Sequence, residues 1–217
     1  SNSAFPFGTS KEIQLGYATI RASRISYVGE LGWELLIPSD MAAHVYENLV
    51  EAGQDLELTN VGMHAMNSLR IEKAYRHWGH DIADEDTPIE AGLEFAVRFN
   101  KSGGFIGREA LLKQKESGLI AKRMVQFLME DPEVMLYHNE PIIRDGIICG
   151  YVTSAMYGHT LGGSVGMGYL NNPLEQGGVD SEFVNSGSYE IEVACKRYSA
   201  RASLEPLYDP NNERMKM

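Results

Sequence analysis

After Gly118 the sequence changes texture. Before it, apolar residues recur at helical spacing in two stretches. After it, they fall into short alternating runs divided by turn residues. Residues 124–129, 151–154, 165–170 and 188–204 carry β-type patterns. Ile142-Ile143-Arg144-Asp145-Gly146-Ile147-Ile148 reads as a hairpin around an Asp-Gly turn. Turn-rich stretches at 171–173 and 175–178 separate the later strands. Many short strands at close spacing suit a sandwich or small barrel. The chain therefore divides into an α+β unit, residues 1–118, and an all-β unit, residues 119–217.

The first unit can be read element by element. Phe5-Pro6-Phe7-Gly8-Thr9-Ser10 reads as a loop that ends in the cap of a short helical turn. Residues 17–28 alternate, with Ala18, Ile20 and Ala22 opposite Tyr17, Thr19 and Arg21, as a half-buried strand does. Gly29-Glu30-Leu31-Gly32 is a turn, and 33–37 resume as a strand, which makes a hairpin. Pro38-Ser39-Asp40 starts a helix with Met41, Val45, Leu49 and Ala52 on one face, and Gly53 closes it. A second helix is expected over 63–75, with Ala65, Met66 and Leu69 on one face. Leu93, Phe95, Val97 and Phe99 alternate with polar or small residues and predict a further strand. Gly107-Arg108-Glu109 opens a short helix through Lys115, stopped by Gly118.

Composition excludes several classes. With 217 residues, 43% of them hydrophobic and 23% charged, most of the chain can bury a core rather than stay disordered. No apolar run reaches the ~18–20 residues of a membrane helix. The net charge of -11 argues against a nucleic-acid-binding face. An anionic ligand would have to be held by a few placed groups. The two cysteines, Cys149 and Cys195, lie in strand-like stretches and read as buried thiols of a reducing compartment. No secretory signal is visible, so the expected location is the cytoplasm, with a mitochondrial matrix left open for a eukaryotic source. No methionine opens the chain, which is expected to be part of something longer.

Cofactor and metal motifs are equally informative. Gly162-Gly163-Ser164-Val165-Gly166-Met167-Gly168 lacks dinucleotide-binding spacing and leads into a strand, so it reads as a close-packed β segment. His77-Trp78-Gly79-His80-Asp81 gathers ligand-type residues, but Gly79 breaks the helix that would aim them at one ion. No metal site is expected, and those residues should instead pack and hydrogen-bond a helix end. Asp84-Glu85-Asp86 reads as a solvated acidic loop.

The segment from Ser26 to Leu35 holds the most chemistry. Trp33, Leu35 and Ile37 share one face of the second arm, and Glu34 projects from the other. A carboxylate set in an apolar hairpin needs a partner if it is buried. Two partners suit it: a lysine or arginine, or the paired N–H donors of a heterocycle with Tyr27 as an aromatic wall. Spacing alone leaves both open.

The hairpin resembles the Tyr-Thr-Gly-Glu-x-Gly-Trp-Glu signature of the aminomethyltransferase, or glycine cleavage T-protein, family. Asn67-Ser68-Leu69-Arg70-Ile71-Glu72-Lys73, Gly79-His80-Asp81-Ile82, Thr87-Pro88-Ile89-Glu90-Ala91-Gly92-Leu93 and Phe105-Ile106-Gly107-Arg108-Glu109-Ala110-Leu111 follow in that family's order. Gly150-Tyr151-Val152-Thr153-Ser154 and Gly166-Met167-Gly168-Tyr169-Leu170 are similar to its C-terminal barrel. A narrower resemblance, carried by Ile71-Glu72-Lys73-Ala74-Tyr75-Arg76-His77-Trp78 and Tyr208-Asp209-Pro210-Asn211-Asn212, is to the folate-binding half of sarcosine and dimethylglycine dehydrogenases.

The resemblance implies a partial cloverleaf of α+β class: a ferredoxin-like α+β lobe, incomplete at its N-terminus, followed by a small β-barrel lobe. It implies tetrahydrofolate as cofactor, with Glu34 taking the pterin N–H groups and Tyr27 lining the pocket. The implied activity is one-carbon transfer from an N-methyl or aminomethyl donor to tetrahydrofolate. FAD would sit only in a part of the parent protein outside this chain. The family's catalytic aspartate also lies outside, in the remaining N-terminal portion, so no catalytic residue is assigned and this chain alone is expected to be inactive. The implied partners are the folate, a methylated amine and that remaining portion. The position of the family's folate-tail arginine is occupied by Met66, so tail recognition must differ or use Arg76 or a residue elsewhere. A plain glycine-cleavage aminomethyltransferase is the second reading, and a non-catalytic folate-domain module the third.

Overall fold

The structure, a computed structural model, describes residues 2–217. They form two compact units, one running to Arg70 and joined by Asp209–Met217, the other Ile71–Tyr208. The division at 118 follows sequence texture. The units follow contacts, and these group 71–118 with the barrel strands.

The first unit holds a three-stranded antiparallel sheet in the order β1 (Ser10–Leu15), β2 (Ala18–Ser23), β3 (Glu34–Leu36). β2 alternates as expected, with Ala18, Ile20 and Ala22 each 1% exposed. Ile20, Ala18 and Val45 form a small core with Ile13, Leu15, Leu35 and Ile37 around them. Val45 belongs to helix α1 (Ala42–Gly53), which ends on Gly53 as the sequence indicates. A 3-10 turn at Ser39–Met41 leads into it. The two-residue turn between β1 and β2 needs Gly16, with φ +57, and a Cβ there would lie 2.1 Å from His44 Nε2. The Tyr17 amide donates to that same nitrogen at 2.9 Å.

Two expectations in this unit are corrected. Ser10 opens a strand rather than capping a helical turn, and it pairs with Ser23. Its alternation is easy to miss because only Ile13 and Leu15 pack inward. The strand expected over 17–28 stops at Ser23. Arg24 keeps the inward alternation and bonds to Gly8 and Thr9, but the Ile25 amide then turns back to the Ser23 carbonyl at 3.1 Å and the chain leaves the ladder. Helix α2 (Met63–Glu72) likewise ends earlier than residue 75. Ala74 has φ +56, and a left-handed residue ends a right-handed helix.

The second unit is a closed antiparallel barrel in the order β4-β7-β6-β5-β8-β9. Its strands are β4 (Lys122–Met129), β5 (Pro141–Arg144), β6 (Ile147–Gly158), β7 (Gly163–Asn171), β8 (Tyr189–Val193) and β9 (Lys196–Ser203). Pairing of β4 with β9 closes the ring and removes its free edges. The β5–β6 turn is Asp145-Gly146, with φ +50 and +84, the pair of positive angles that a tight hairpin requires. Inside, Phe127, Ile142, Val152, Leu170 and Ile191 have no exposed surface. The glycine-rich 162–168 stretch is close-packed strand: a Cβ on Gly168 would lie 2.4 Å from the Tyr151 carbonyl oxygen.

Further corrections fall in this unit. The alternating 93–99 segment is not a strand; it carries a 3-10 turn at Glu94–Ala96. A strand needs a neighbour for its backbone groups, and no described strand pairs with it. Helix α3 (Arg108–Ser117) lies where expected, between left-handed Gly107 and Gly118. A short helix α4 (Ser181–Ser186) was not foreseen; Asp180 caps it by accepting the Phe183 amide at 2.7 Å. The cysteines are both free, but Cys195 is exposed in the β8–β9 turn with φ +63. Cys149 is half-buried, and desolvation pushes its thiol pKa up. Among the described residues no helix is long and apolar enough to cross a membrane.

Tyr189 supplies a pH prediction. Its hydroxyl donates to the Val184 carbonyl at 2.9 Å, and burial pushes its pKa up to about 12. The folded state therefore holds this proton more tightly than the unfolded chain, where a tyrosine titrates near ~10. Its contribution is fully present below pH ~10 and is lost as pH rises toward 12. Denaturation measured across that range should show stability falling more steeply for the native chain than for Tyr189→Phe. Parallel curves would contradict the assignment.

Candidate functional site

Glu34 is the first residue of β3 and stands opposite Ser23. Its side chain and Leu36 face solvent, while Leu35 and Ile37 turn toward the small core. The expected two-faced arm is therefore present. The burial argument does not apply, however, because the Glu34 residue is exposed. Nor does the salt-bridge alternative: among the described residues no lysine or arginine pairs with Glu34. What remains is a solvent-facing carboxylate on a fixed strand, able to accept two donors from outside. Tyr27 lies half-buried in the loop that leads to it, so one hairpin carries both residues.

The loop from Arg24 to Trp33 is held by its own ends. Arg24 Nη1 donates to the Phe5 carbonyl at 2.9 Å, and its Nη2 donates to the Met217 carbonyl at 2.8 Å. The guanidinium lies 5.3 Å from the Trp33 ring, and the Phe5 ring meets Trp33 edge-on at 4.5 Å. Gly29 takes φ +77, and a Cβ on Gly32 would come within 2.8 Å of the Ile25 carbonyl oxygen. Glu30 pairs with Arg214 at 3.2 Å in an exposed contact. Such pairs add at most ~1 kcal/mol, so Arg24 is the main anchor. Sequence reasoning missed Arg24, and no local signal could have found it, since its partner lies 193 positions away.

Arg76, the arginine offered for a folate tail, is occupied, and so is Arg70. Arg70 is 3% exposed, and its Nε donates to Asn67 Oδ1 at 3.2 Å. Arg76, in the other unit, donates to the carbonyls of Ala91 at 2.9 Å and Ala74 at 2.5 Å. Burial lowers its pKa, only partly offset by Asp81. Met66 is half-buried on α2. Asp81 is 1% exposed and accepts from the His77 amide at 2.8 Å and the Thr153 hydroxyl at 2.5 Å, so it ties the 77–81 turn, rather than the expected helix end, to the barrel wall. Among the described residues no three His, Cys, Asp or Glu side chains gather around a possible ion.

The acidic run needs a correction. Asp86 is not solvated: it accepts from the Ala83 amide at 2.7 Å and from Lys122 at 2.6 Å. Burial works against the Lys122 charge, but Asp86 outweighs it and raises that pKa.

Comparison with known proteins bears on these placements. Residues 1–101 match the GCVT N-terminal domain, and residues 122–209 match the glycine cleavage T-protein C-terminal barrel domain. Mitochondrial sarcosine dehydrogenase of Homo sapiens is 43% identical over 216 residues, which is 100% of this chain and 23% of that protein. The mitochondrial pyruvate dehydrogenase phosphatase regulatory subunit of Mus musculus is 40% identical over 94% of this chain and 24% of its own length. The chain thus spans about a quarter of the length of the dehydrogenase relatives it matches, 23% in the first case. A crystal structure of the glycine cleavage system aminomethyltransferase T from Bartonella henselae superposes with a TM-score of 0.76 and 26% identity, over 94% of this chain and 53% of that one. With both family domains present in order, and sarcosine and dimethylglycine dehydrogenases among its homologues, the chain belongs to the glycine cleavage T-protein family.

Proposed function

We propose that these residues are the tetrahydrofolate-binding portion of a longer sarcosine or dimethylglycine dehydrogenase-like enzyme. The observation that carries the reading is the Glu34 carboxylate, exposed on a strand and without a cation of its own. A pterin edge offers adjacent ring N–H and amino donors, and a carboxylate accepts such a pair in one plane. The residues fit the group: Glu34 would hold the pterin edge and Tyr27 would line its face. When bound, tetrahydrofolate supplies the amine nitrogen that takes up the one-carbon unit. The contribution of this chain is orientation, which turns a two-body encounter into a positioned one. No aspartate here is assigned to the reacting centre, and FAD is assigned to the rest of the polypeptide.

Calorimetry with tetrahydrofolate on the full-length enzyme tests this. Glu34→Ala should weaken binding at least about tenfold, because each hydrogen bond to a charged group contributes ~1.5–3 kcal/mol. Unchanged affinity would remove Glu34 from the pterin site. A second reading is favoured by the likeness to a phosphatase regulatory subunit: a non-catalytic module with the same fold. It predicts a protein that never demethylates an amine in any assay where folate is present.

A further inference from the structure

The C-terminal end of α3 and the barrel wall enclose a cleft of about 290 Å³, all of it within the second unit. Ile89, Phe95, Ile120 and Val179 give it apolar surface. Its walls are fixed. Gly118 ends α3 in the left-handed conformation, and the Val179 amide donates to the Ile120 carbonyl at 2.7 Å. A Cβ on Gly178 would lie 2.7 Å from that same carbonyl oxygen, so the two segments cannot slide apart or together freely. Lys115 and Glu94, which also line the cleft, pair with each other. A preformed cleft with a few placed polar groups is the usual form of a small-molecule site.

Two polar groups of this cleft lack partners. Gln114 donates through Nε2 to Glu90 Oε1 at 3.1 Å, and Glu90 in turn accepts the Thr87 amide at 3.0 Å. An ionised carboxylate can only accept, so the Gln114 amide cannot be turned round. Its Oε1 is left buried with no donor, a state that calls for a partner. Arg123, half-buried on β4, lines the same cleft and has no acidic partner among the described residues. Asp180, the other acid here, uses only Oδ1, on the Phe183 amide. A bare anion would satisfy Arg123 and leave Gln114 without a donor. A bare amine would do the reverse. One molecule with both groups and an apolar body satisfies the two and also covers Phe95, which is 85% exposed.

We propose that this cleft binds a small α-amino acid with an apolar side chain. Its carboxylate meets the Arg123 guanidinium in a charge-assisted pair. Its ammonium donates to Asp180 and to Gln114 Oε1, and its side chain lies against Phe95 and Ile120. Reaching Oε1 takes a small turn of the Gln114 side chain, the kind of adjustment common on binding. The site is separate from Glu34 and owes nothing to the folate reading.

Calorimetry with L-leucine on the full-length protein is the test. Leucine should bind with a Kd of about 1 mM or tighter. The same skeleton without its amino group, 4-methylpentanoate, and without its carboxylate, isopentylamine, should each bind at least about tenfold more weakly. Arg123→Met should weaken leucine at least about tenfold, and Phe95→Ala about threefold. Phe95 already faces solvent, so its variant keeps the fold and leaves Tm unchanged. No binding of leucine at about 10 mM would overturn the proposal. Leucine binding that neither variant weakens belongs to another site and would overturn it equally. Binding of 4-methylpentanoate as tight as that of leucine would overturn the amino-acid assignment. Glu34→Ala should weaken folate binding and leave leucine binding intact, so the two readings fail separately.

Discussion

Gly150→Ala should cost the barrel more than about 3 kcal/mol, beyond the usual range for overpacking. A Cβ at this position would lie 1.8 Å from the Tyr169 carbonyl oxygen and 3.0 Å from its carbon. Those are backbone atoms of β7, so no side chain can swing aside. Gly150 pairs with Leu170 on one side and Ile142 on the other, so a shift of β6 disturbs two ladders at once. A domain's whole stability is only ~5–15 kcal/mol, which makes loss of folding at ordinary temperature an expected result. Gly168→Ala should rank second, with its Cβ 2.4 Å from the Tyr151 oxygen. Gly146→Ala meets nothing within 4 Å and should cost only the ~1 kcal/mol of its φ of +84. Urea denaturation of the three variants gives the order directly, and a Gly150→Ala barrel as stable as the native one would contradict the close approach of β6 and β7.

Glu72→Ala should follow closely, at about 2–5 kcal/mol, from losing two hydrogen bonds at once. Glu72 is 1% exposed, and its Oε1 accepts the amides of Thr160 at 2.7 Å and Leu161 at 2.9 Å. Those amides form the bend between β6 and β7, and the carboxylate that accepts them is itself buried. Alanine cannot reach them. Glu72→Gln keeps a carbonyl oxygen in place and should retain much of the stability, losing the charge but not the geometry. Thermal melts of the pair decide it: equal losses would mean that charge rather than acceptance matters here. The same carboxylate limits its neighbour, because a Cβ on Gly158 would approach Oε1 to 3.0 Å.

What could be read from the sequence depended on the range of the interaction. The inward set Ala18, Ile20, Ala22, the Asp145-Gly146 turn and the glycine ends of α1 and α3 are local, and pattern or backbone angle reveals them. The 93–99 segment shows the converse. Its alternation is real, but a strand is a property of two segments; no described strand pairs with it, and its Ala96 and Val97 amides close a 3-10 turn instead. Asp86 looked like one of three solvated acids because its partner Lys122 is 36 positions on. At the candidate site, Glu34 and Tyr27 were legible as residues of one hairpin. The exposure of Glu34 was not, since an alternating strand looks the same whether its polar face meets water or a ligand. Arg24, which shapes the loop between them, left no trace in local spacing.

The Arg24 contacts also set an order of events during synthesis. Their carbonyl partners, Met215 and Met217, are 191 and 193 positions downstream. The ribosome delivers ~5–20 residues each second, so the hairpin emerges many seconds before the residues that fasten it. Ile71–Tyr208 has every strand of its ring by then. The barrel can therefore close while the Glu34 loop is still loose, and that loop is among the last parts of the chain to acquire its shape.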